Sequence, residues 1–219
     1  MGSQNQYLGC IFDLDGTVLD SKEGFDESLR LALKTFNVDV ESKTFAHLIG
    51  PPIRVILKNV FPKLSPELIE SISLNFREHF DSSGCLQAKL YPGATLVLEA
   101  ISKKGIKNLL CTNKPVSATT RVMEHFGLNK FFATVTCPEP DTFPAKPKKD
   151  LMEAALVSAG LTKKNVLIVG DTEEDLIAAR NIGCDFAGAL YGYGQNLRIS
   201  PGLTHRLESL EQILSILKL

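Results

Sequence analysis

Two carboxylates, Asp13 and Asp15, stand two positions apart at the end of an apolar run, in Cys10-Ile11-Phe12-Asp13-Leu14-Asp15-Gly16-Thr17. The run 8–12 reads as a buried strand. An acid at the end of a buried strand costs several kcal/mol unless a cation or hydrogen bonds compensate. Residues i and i+2 project to the same side of a pleat, so the pair shares one crevice at the carboxyl end of its strand. Such a pair is expected to need a metal. Further along stand Thr112, Lys146, Asp171 and Asp175, each at a strand end or in a loop after one. Carboxylates, a hydroxyl and an ammonium together suit a phosphoryl group and a hard divalent cation. Carboxylates hold Mg²⁺, which accepts substrate phosphate oxygens in its shell. Lys and Thr donate to phosphoryl oxygens. One Asp serves as nucleophile, and the second protonates the leaving oxygen and then activates water.

These residues converge only if a parallel sheet brings the strand ends to one edge. The hydrophobic pattern predicts that sheet. Apolar runs at 8–12, 108–111, 132–137, 165–169 and 184–190 read as five strands, alternating with helical periodicity at 94–104, 116–126, 149–159, 173–182 and 207–217. Alternation of this kind implies an α/β fold with a doubly wound, Rossmann-like parallel sheet. Between the first strand and the next βα unit, residues 20–89 read as helices throughout, and Asp20 with Glu23 resembles a capping box. Seventy residues cannot be a structureless loop. We therefore expect a core domain of 1–19 and 90–219 and an inserted α-helical cap domain of 20–89.

Composition limits the partners. The formal net charge of -1 gives no reason to expect nucleic acid or a membrane surface. No apolar run approaches the 18 residues of a spanning helix. The five Cys are scattered without CxxC spacing, so zinc is not indicated. Reduced thiols and a polar start lacking a signal-peptide pattern suggest a cytoplasmic protein. A monomer and a homodimer both fit.

Taken together, the motifs resemble the haloacid-dehalogenase-like hydrolase superfamily. Asp13-Leu14-Asp15-Gly16-Thr17 is similar to its first motif, Thr112 to its second, Lys146 to its third, and Gly170-Asp171-Thr172-Glu173-Glu174-Asp175 to its fourth. The helical insert just after the first motif is similar to members with a small α-helical cap. Gly50-Pro51-Pro52, Thr112-Asn113-Lys114-Pro115 and Tyr191-Gly192-Tyr193-Gly194 resemble phosphoglycolate phosphatases.

The resemblance implies a Mg²⁺-dependent phosphatase acting on a small phosphorylated metabolite through an aspartyl-phosphate. Asp13 would be nucleophile and metal ligand, and Asp15 the acid/base whose backbone carbonyl also meets the metal. Asp171 would complete the ligands, with Asp175 binding or supporting. Thr112 and Asn113 would hold the phosphoryl group, and Lys146 would bridge it to Asp13. Relatives usually carry a second Pro soon after the Lys-Pro of the third motif. Here Lys148-Lys149 follows Pro147. Asp15 argues against haloacid dehalogenation, which lacks that acid in this superfamily. A phosphomutase, a pyrophosphatase or a nucleotidase on the same core remains open, and a non-enzymatic binding protein is disfavoured by the intact acids. His47, Arg54, Lys58 and Arg77 of the insert are each expected at the surface, and Glu173 and Glu174 are expected as solvated first-turn acids.

Overall fold

The structure is a computed structural model, and it describes residues 7–39, 44–138, 147–194 and 196–219. In chain order the elements are β1 (Gly9–Phe12), β2 (Leu19–Asp20), α1 (Lys22–Thr35), α2 (Ile53–Val60), α3 (Pro66–Ser82), β3 (Lys89–Leu90), α4 (Ala94–Lys103), β4 (Lys107–Cys111), α5 (Val116–His125), β5 (Phe132–Thr136), α6 (Lys148–Ala159), β6 (Val166–Gly170), α7 (Glu173–Ile182), β7 (Asp185–Ala189), β8 (His205–Leu207) and α8 (Gln212–Leu217).

Six strands form one sheet in the order β5-β4-β1-β6-β7-β8, and every pairing is parallel. β1 lies in the middle, fully buried on both faces. Its alternate residues serve different cores. Cys10 and Phe12 join the cluster under α4, α5 and α8, and Ile11 joins the cluster under α6 and α7. This is the period of two expected for a strand covered by helices on both sides. The chain leaves β1 toward β4 and β5 on one side, then returns to build β6, β7 and β8 on the other. The crevice at that reversal is where doubly wound sheets bind ligands.

Among the described residues, three α-helices lie between β2 and β3. α1, α2 and α3 pack on an apolar seam of Phe25, Leu29, Leu33, Ile56, Leu57, Ile72, Phe76 and Phe80. Phe76 stacks on Phe80 with centroids 5.2 Å apart, and Phe25 meets Phe76 edge-on at 5.3 Å. Ser65 caps α3 by accepting from the Leu68 amide, with Pro66 in the first turn, the arrangement that leaves no useful donor wasted.

Four expectations need correction. The two ends of the insert pair as a short antiparallel ladder, Leu19 with Leu90 and Asp20 with Lys89, where only helix was read. The segment around 44–49, read as helix with the rest of 20–89, forms one 3₁₀ turn, Ala46–Leu48. Asp20 builds no capping box: α1 starts at Lys22 behind Ser21 without a side-chain cap. The last helix was expected from residue 207, but His205–Leu207 is instead a sixth strand beside β7. Its backbone completes the edge, where the Leu190 amide donates to the Leu207 carbonyl.

Candidate active site

Strand register alone gathers the acids. Phe12 lies opposite Leu110 of β4 and Val169 of β6, so the next residues of β1 emerge between the ends of those two strands. The Asp13 amide donates to the Val169 carbonyl at 2.9 Å, and the Thr112 amide to the Thr136 carbonyl at 3.0 Å. These bonds fix Asp13 and Thr112 at the same sheet edge as Gly170-Asp171.

Asp13, Asp171 and Asp175 are all buried, and one oxygen from each lies within 4.8 Å of the others. Each is held differently. Asp171 Oδ2 accepts from the Tyr193 amide at 2.7 Å, and its Oδ1 accepts from the Thr17 hydroxyl at 3.4 Å. Gly16 and Gly192 crowd this carboxylate so closely that neither position has room for a Cβ, and Gly16 also takes φ +87°, a conformation costly for other residues. Asp175 sits in the first turn of α7. Its Oδ2 takes the Thr172 hydroxyl at 2.7 Å and the Thr172 amide at 3.2 Å, closing a capping box. The helix N-cap is therefore Thr172, not Asp171. The other oxygen, Asp175 Oδ1, accepts no hydrogen bond and has the Lys148 ammonium 3.3 Å away.

Lys148 is the cation of this cluster. It is the first residue of α6, buried, with Nζ 2.5 Å from Asp13 Oδ1. Lys146, expected in that position, lies outside the described residues, and the ammonium that meets Asp13 belongs to Lys148. The physical reason is the helix start. α6 begins at Lys148, directly behind Pro147, one residue earlier than the periodicity suggested, so the Lys148 side chain turns into the crevice.

Among the described residues, three buried carboxylates face one ammonium, a surplus of negative charge. Burial, reinforced by Asp175 and opposed by Lys148, pushes the Asp13 carboxyl up to about 7. Burial and the neighbouring Asp13 and Asp175 charges hold Asp171 well above the usual carboxylate range. Burial disfavours the Lys148 charge, yet Asp13 and Asp175 outweigh it and hold the ammonium above its ordinary value. Carboxylates in such surroundings fit a divalent cation. The orphaned Asp175 Oδ1 and the all-oxygen donor set suit a hard ion such as Mg²⁺.

The Asp15 carboxylate is not part of this cluster. It faces Lys114, whose Nζ lies 2.9 and 3.0 Å from its two oxygens. Thr112 is buried and accepts the Lys114 amide at 3.1 Å, which leaves its hydroxyl proton to give. Asn113 donates to the Gly50 carbonyl at 3.3 Å and to Glu174 at 3.1 Å.

A cavity of about 150 Å³ opens over these groups. Asp13, Asp15, Thr112, Asn113, Lys148 and Asp175 line its floor. The insert supplies the roof, chiefly Phe25, Ile53, Phe76 and Phe80 with Pro51-Pro52. Arg54 and Arg77, expected at the surface, are partly buried and also line it; Glu174 lines it while staying exposed, and His47 and Lys58 are exposed and outside it. Arg54 is held by Glu70, 2.5 Å from its Nε. Lys114 and Lys148 are the residues sequence reasoning undervalued. The available signal was their neighbourhood, immediately after Thr112-Asn113 and Pro147.

Among the described residues no helix is long and apolar enough to cross a membrane, and the five cysteines are free thiols. The family model of the haloacid dehalogenase-like hydrolases matches residues 10–189. A phosphoglycolate phosphatase of Agrobacterium fabrum is 31% identical over 189 residues, covering 84% of this chain and 81% of its own. A 5'-nucleotidase of Pseudomonas aeruginosa is 28% identical over 190 residues, covering 86% of this chain and 85% of its own. The crystal structure of a predicted phosphatase from Clostridium acetobutylicum superposes with a TM-score of 0.89 at 26% identity, over 97% of this chain and 99% of that one. With its central acids, its parallel sheet and these relatives, the chain belongs to the haloacid dehalogenase-like hydrolases, in the subgroup resembling phosphoglycolate phosphatases, and it is a phosphatase.

Proposed function

We propose that the enzyme is a Mg²⁺-dependent phosphatase that hydrolyses a small phosphoglycolate-like metabolite through an aspartyl-phosphate. The observation that carries this reading is the placement of Asp13. Its carboxylate meets the Lys148 ammonium and lies within 4.8 Å of the Asp171 and Asp175 carboxylates, at the floor of a cavity. Asp13, Asp171 and Asp175 would hold the metal, together with the backbone carbonyl of Asp15. Bound there, the ion would neutralise charge on the phosphoryl oxygens and on the nucleophile.

Asp13 attacks phosphorus with one carboxylate oxygen, forming an acyl-phosphate bond as the ester P–O bond breaks. Asp15 gives its proton to the departing oxygen, so the leaving group departs as a neutral alcohol. Thr112, Asn113 and Lys148 donate to the three phosphoryl oxygens, Lys148 taking the role first expected of Lys146. Asp15, now a carboxylate, removes a proton from water, which attacks phosphorus, returns Asp13 and releases phosphate. The insert, residues 20–89, acts as a cap on the core of 1–19 and 90–219, excluding bulk water while the ester is bound.

The cavity is small beside the ~300–1,000 Å³ of typical small-molecule sites, which favours a leaving group of a few heavy atoms over a nucleoside. Its place of action would be the cytoplasm. The test is phosphate release from p-nitrophenyl phosphate and from phosphoglycolate. Turnover should need Mg²⁺, fall on EDTA treatment and vanish in Asp13→Asn. Equal activity in wild type and Asp13→Asn would sink the reading. A nucleoside monophosphate preferred over phosphoglycolate in kcat/KM would move the substrate to the nucleotidase class.

A further inference from the structure

The cavity wall contains a buried ion pair, one member of which, Lys114, has no part in the phosphoryl steps. Lys114 has 2% of its side chain exposed, and its partner Asp15 has 14%. The ammonium meets both Asp15 oxygens, at 2.9 and 3.0 Å, and stands 4.5 Å from the centroid of the Phe80 ring. An ammonium has three donors and no acceptor. Two reach the carboxylate, and the remaining side faces a ring whose π-cloud attracts a cation. Protein groups therefore hold Lys114 on its carboxylate and ring sides, although the residue also lines the cavity.

What it joins is informative. Asp15 follows β1, Lys114 follows β4, and Phe80 belongs to α3 of the insert. The same stretch after β4 makes two more bonds to the insert, Asn113 to the Gly50 carbonyl at 3.3 Å and Ser117 Oγ to Asp81 at 2.8 Å. Residues 113–117 are thus a landing for the insert, and within that landing Lys114 also holds Asp15.

We propose that Lys114 is a positioning residue: it fixes the Asp15 carboxylate in one orientation and ties that orientation to the seating of α3 through Phe80. The role rests on the phosphatase reading, in which Asp15 protonates the leaving oxygen. With α3 seated, the ring shields the ammonium from water, and the ammonium keeps the Asp15 side chain in one rotamer. With α3 lifted, water competes for the ammonium and Asp15 is released to other rotamers. Proton transfer is then confined to the closed enzyme.

Two esters separate this role from others. Phenyl phosphate leaves as a poor phenolate that needs a proton, and 2,4-dinitrophenyl phosphate leaves without one. The readout is single-turnover release of the phenol with Mg²⁺ present, which isolates the first step. In Lys114→Met, which keeps the apolar stem, the phenyl ester should slow about 10–100-fold, as expected when a general acid is misplaced. The dinitrophenyl ester should slow less than about threefold, with KM for both within about threefold. Lys114→Arg should recover part of the loss, and Phe80→Leu should show the same ester dependence in smaller measure. Added to Asp15→Asn, the Lys114→Met change should cost the phenyl ester nothing further, because both act through one carboxylate. Equal losses on the two esters would overturn the role while leaving the phosphatase intact. So would a raised KM at unchanged first-step rate, which would make Lys114 a substrate contact. Failure of the wild type to cleave either ester would remove the phosphatase reading and this role together.

Discussion

Lys148 sits where a cation is ordinarily unwelcome. It is buried and occupies the first turn of a helix, where the backbone dipole opposes positive charge. Asp13 and Asp175 outweigh both penalties, and that compensation makes the site demanding of this one side chain. Replacing Lys148 with Met should lower kcat on phosphoglycolate by roughly 10²–10³-fold, the scale of losing a charged donor to the transition state. Lys146→Met should stay within about threefold of wild type. The measurement is kcat of both variants at saturating Mg²⁺, and a larger loss in Lys146→Met would return the role to that residue. The difficulty for sequence reasoning is local. Lys146-Pro147-Lys148-Lys149 offers three ammonium groups within four positions, and types and order alone do not distinguish them. What decides is the phase of α6, and a helix boundary is the least legible feature of a hydrophobic pattern. Asp13, Asp15, Thr112 and Asp171 were legible for the opposite reason. Each ends an apolar strand, and a polar residue there has a cost that points to its use.

At the scale of elements, the loop after β7 binds the acid cluster to the base of the insert. Its Tyr193 amide donates to Asp171, while the Tyr193 hydroxyl accepts the Ser21 amide at 2.7 Å and donates to Asp20 at 2.9 Å. Tyr191 donates to the Thr17 carbonyl at 2.8 Å. Gly192 passes against Asp171 and the Gly16 carbonyl. A methyl at Gly192 must push the Asp171 carboxylate or the loop aside. Gly192→Ala should therefore weaken Mg²⁺ binding about 10–100-fold, as displaced supporting partners of metal ligands do. Titration calorimetry would register it, and unchanged affinity would mean that the loop yields instead of Asp171. The sequence marked Tyr191-Gly192-Tyr193-Gly194 as unusual without revealing its task. Its partners lie more than 170 positions earlier or some 20 earlier, and no local period reports such contacts. β8 was missed for a related reason. Three residues, His205-Arg206-Leu207, are too few to establish an alternation, and only their neighbour β7 makes them a strand. The long buried strands β1, β4 and β6 carry their own signal and were read almost to the residue.

The whole molecule balances a stable sheet against a site where buried carboxylates crowd one another. Asp13 titrates near 7 and Asp171 well above its ordinary value in the metal-free chain, against about 3.9 when unfolded. For a carboxyl raised in the folded state, the unfolded chain holds fewer protons between those values. The stability of the metal-free enzyme must then fall as pH rises from about 4 through 7. Lys148, raised above an already high value, stays charged across that window and adds no slope. Between pH 5.5 and 7.5, a proton-linked cost on the order of 2 kcal/mol would lower Tm by about 4–8 °C for a chain of this size. Metal binds the ionised form, so the stabilisation by Mg²⁺ should be larger at pH 7.5 than at pH 5.5. Asp171→Asn supplies the decisive comparison. The amide oxygen still accepts from the Tyr193 amide, and the amide nitrogen donates to the Thr17 hydroxyl in place of the second oxygen, but one buried charge is gone. In EDTA at pH 7.5 this variant should melt higher than wild type while binding Mg²⁺ more weakly. Differential scanning calorimetry at the two pH values, with and without Mg²⁺, reads all of these. A metal-free Asp171→Asn that melts below wild type at pH 7.5 would show that the acids are not in charge conflict. In that case Asp171 would serve the fold rather than hold a metal.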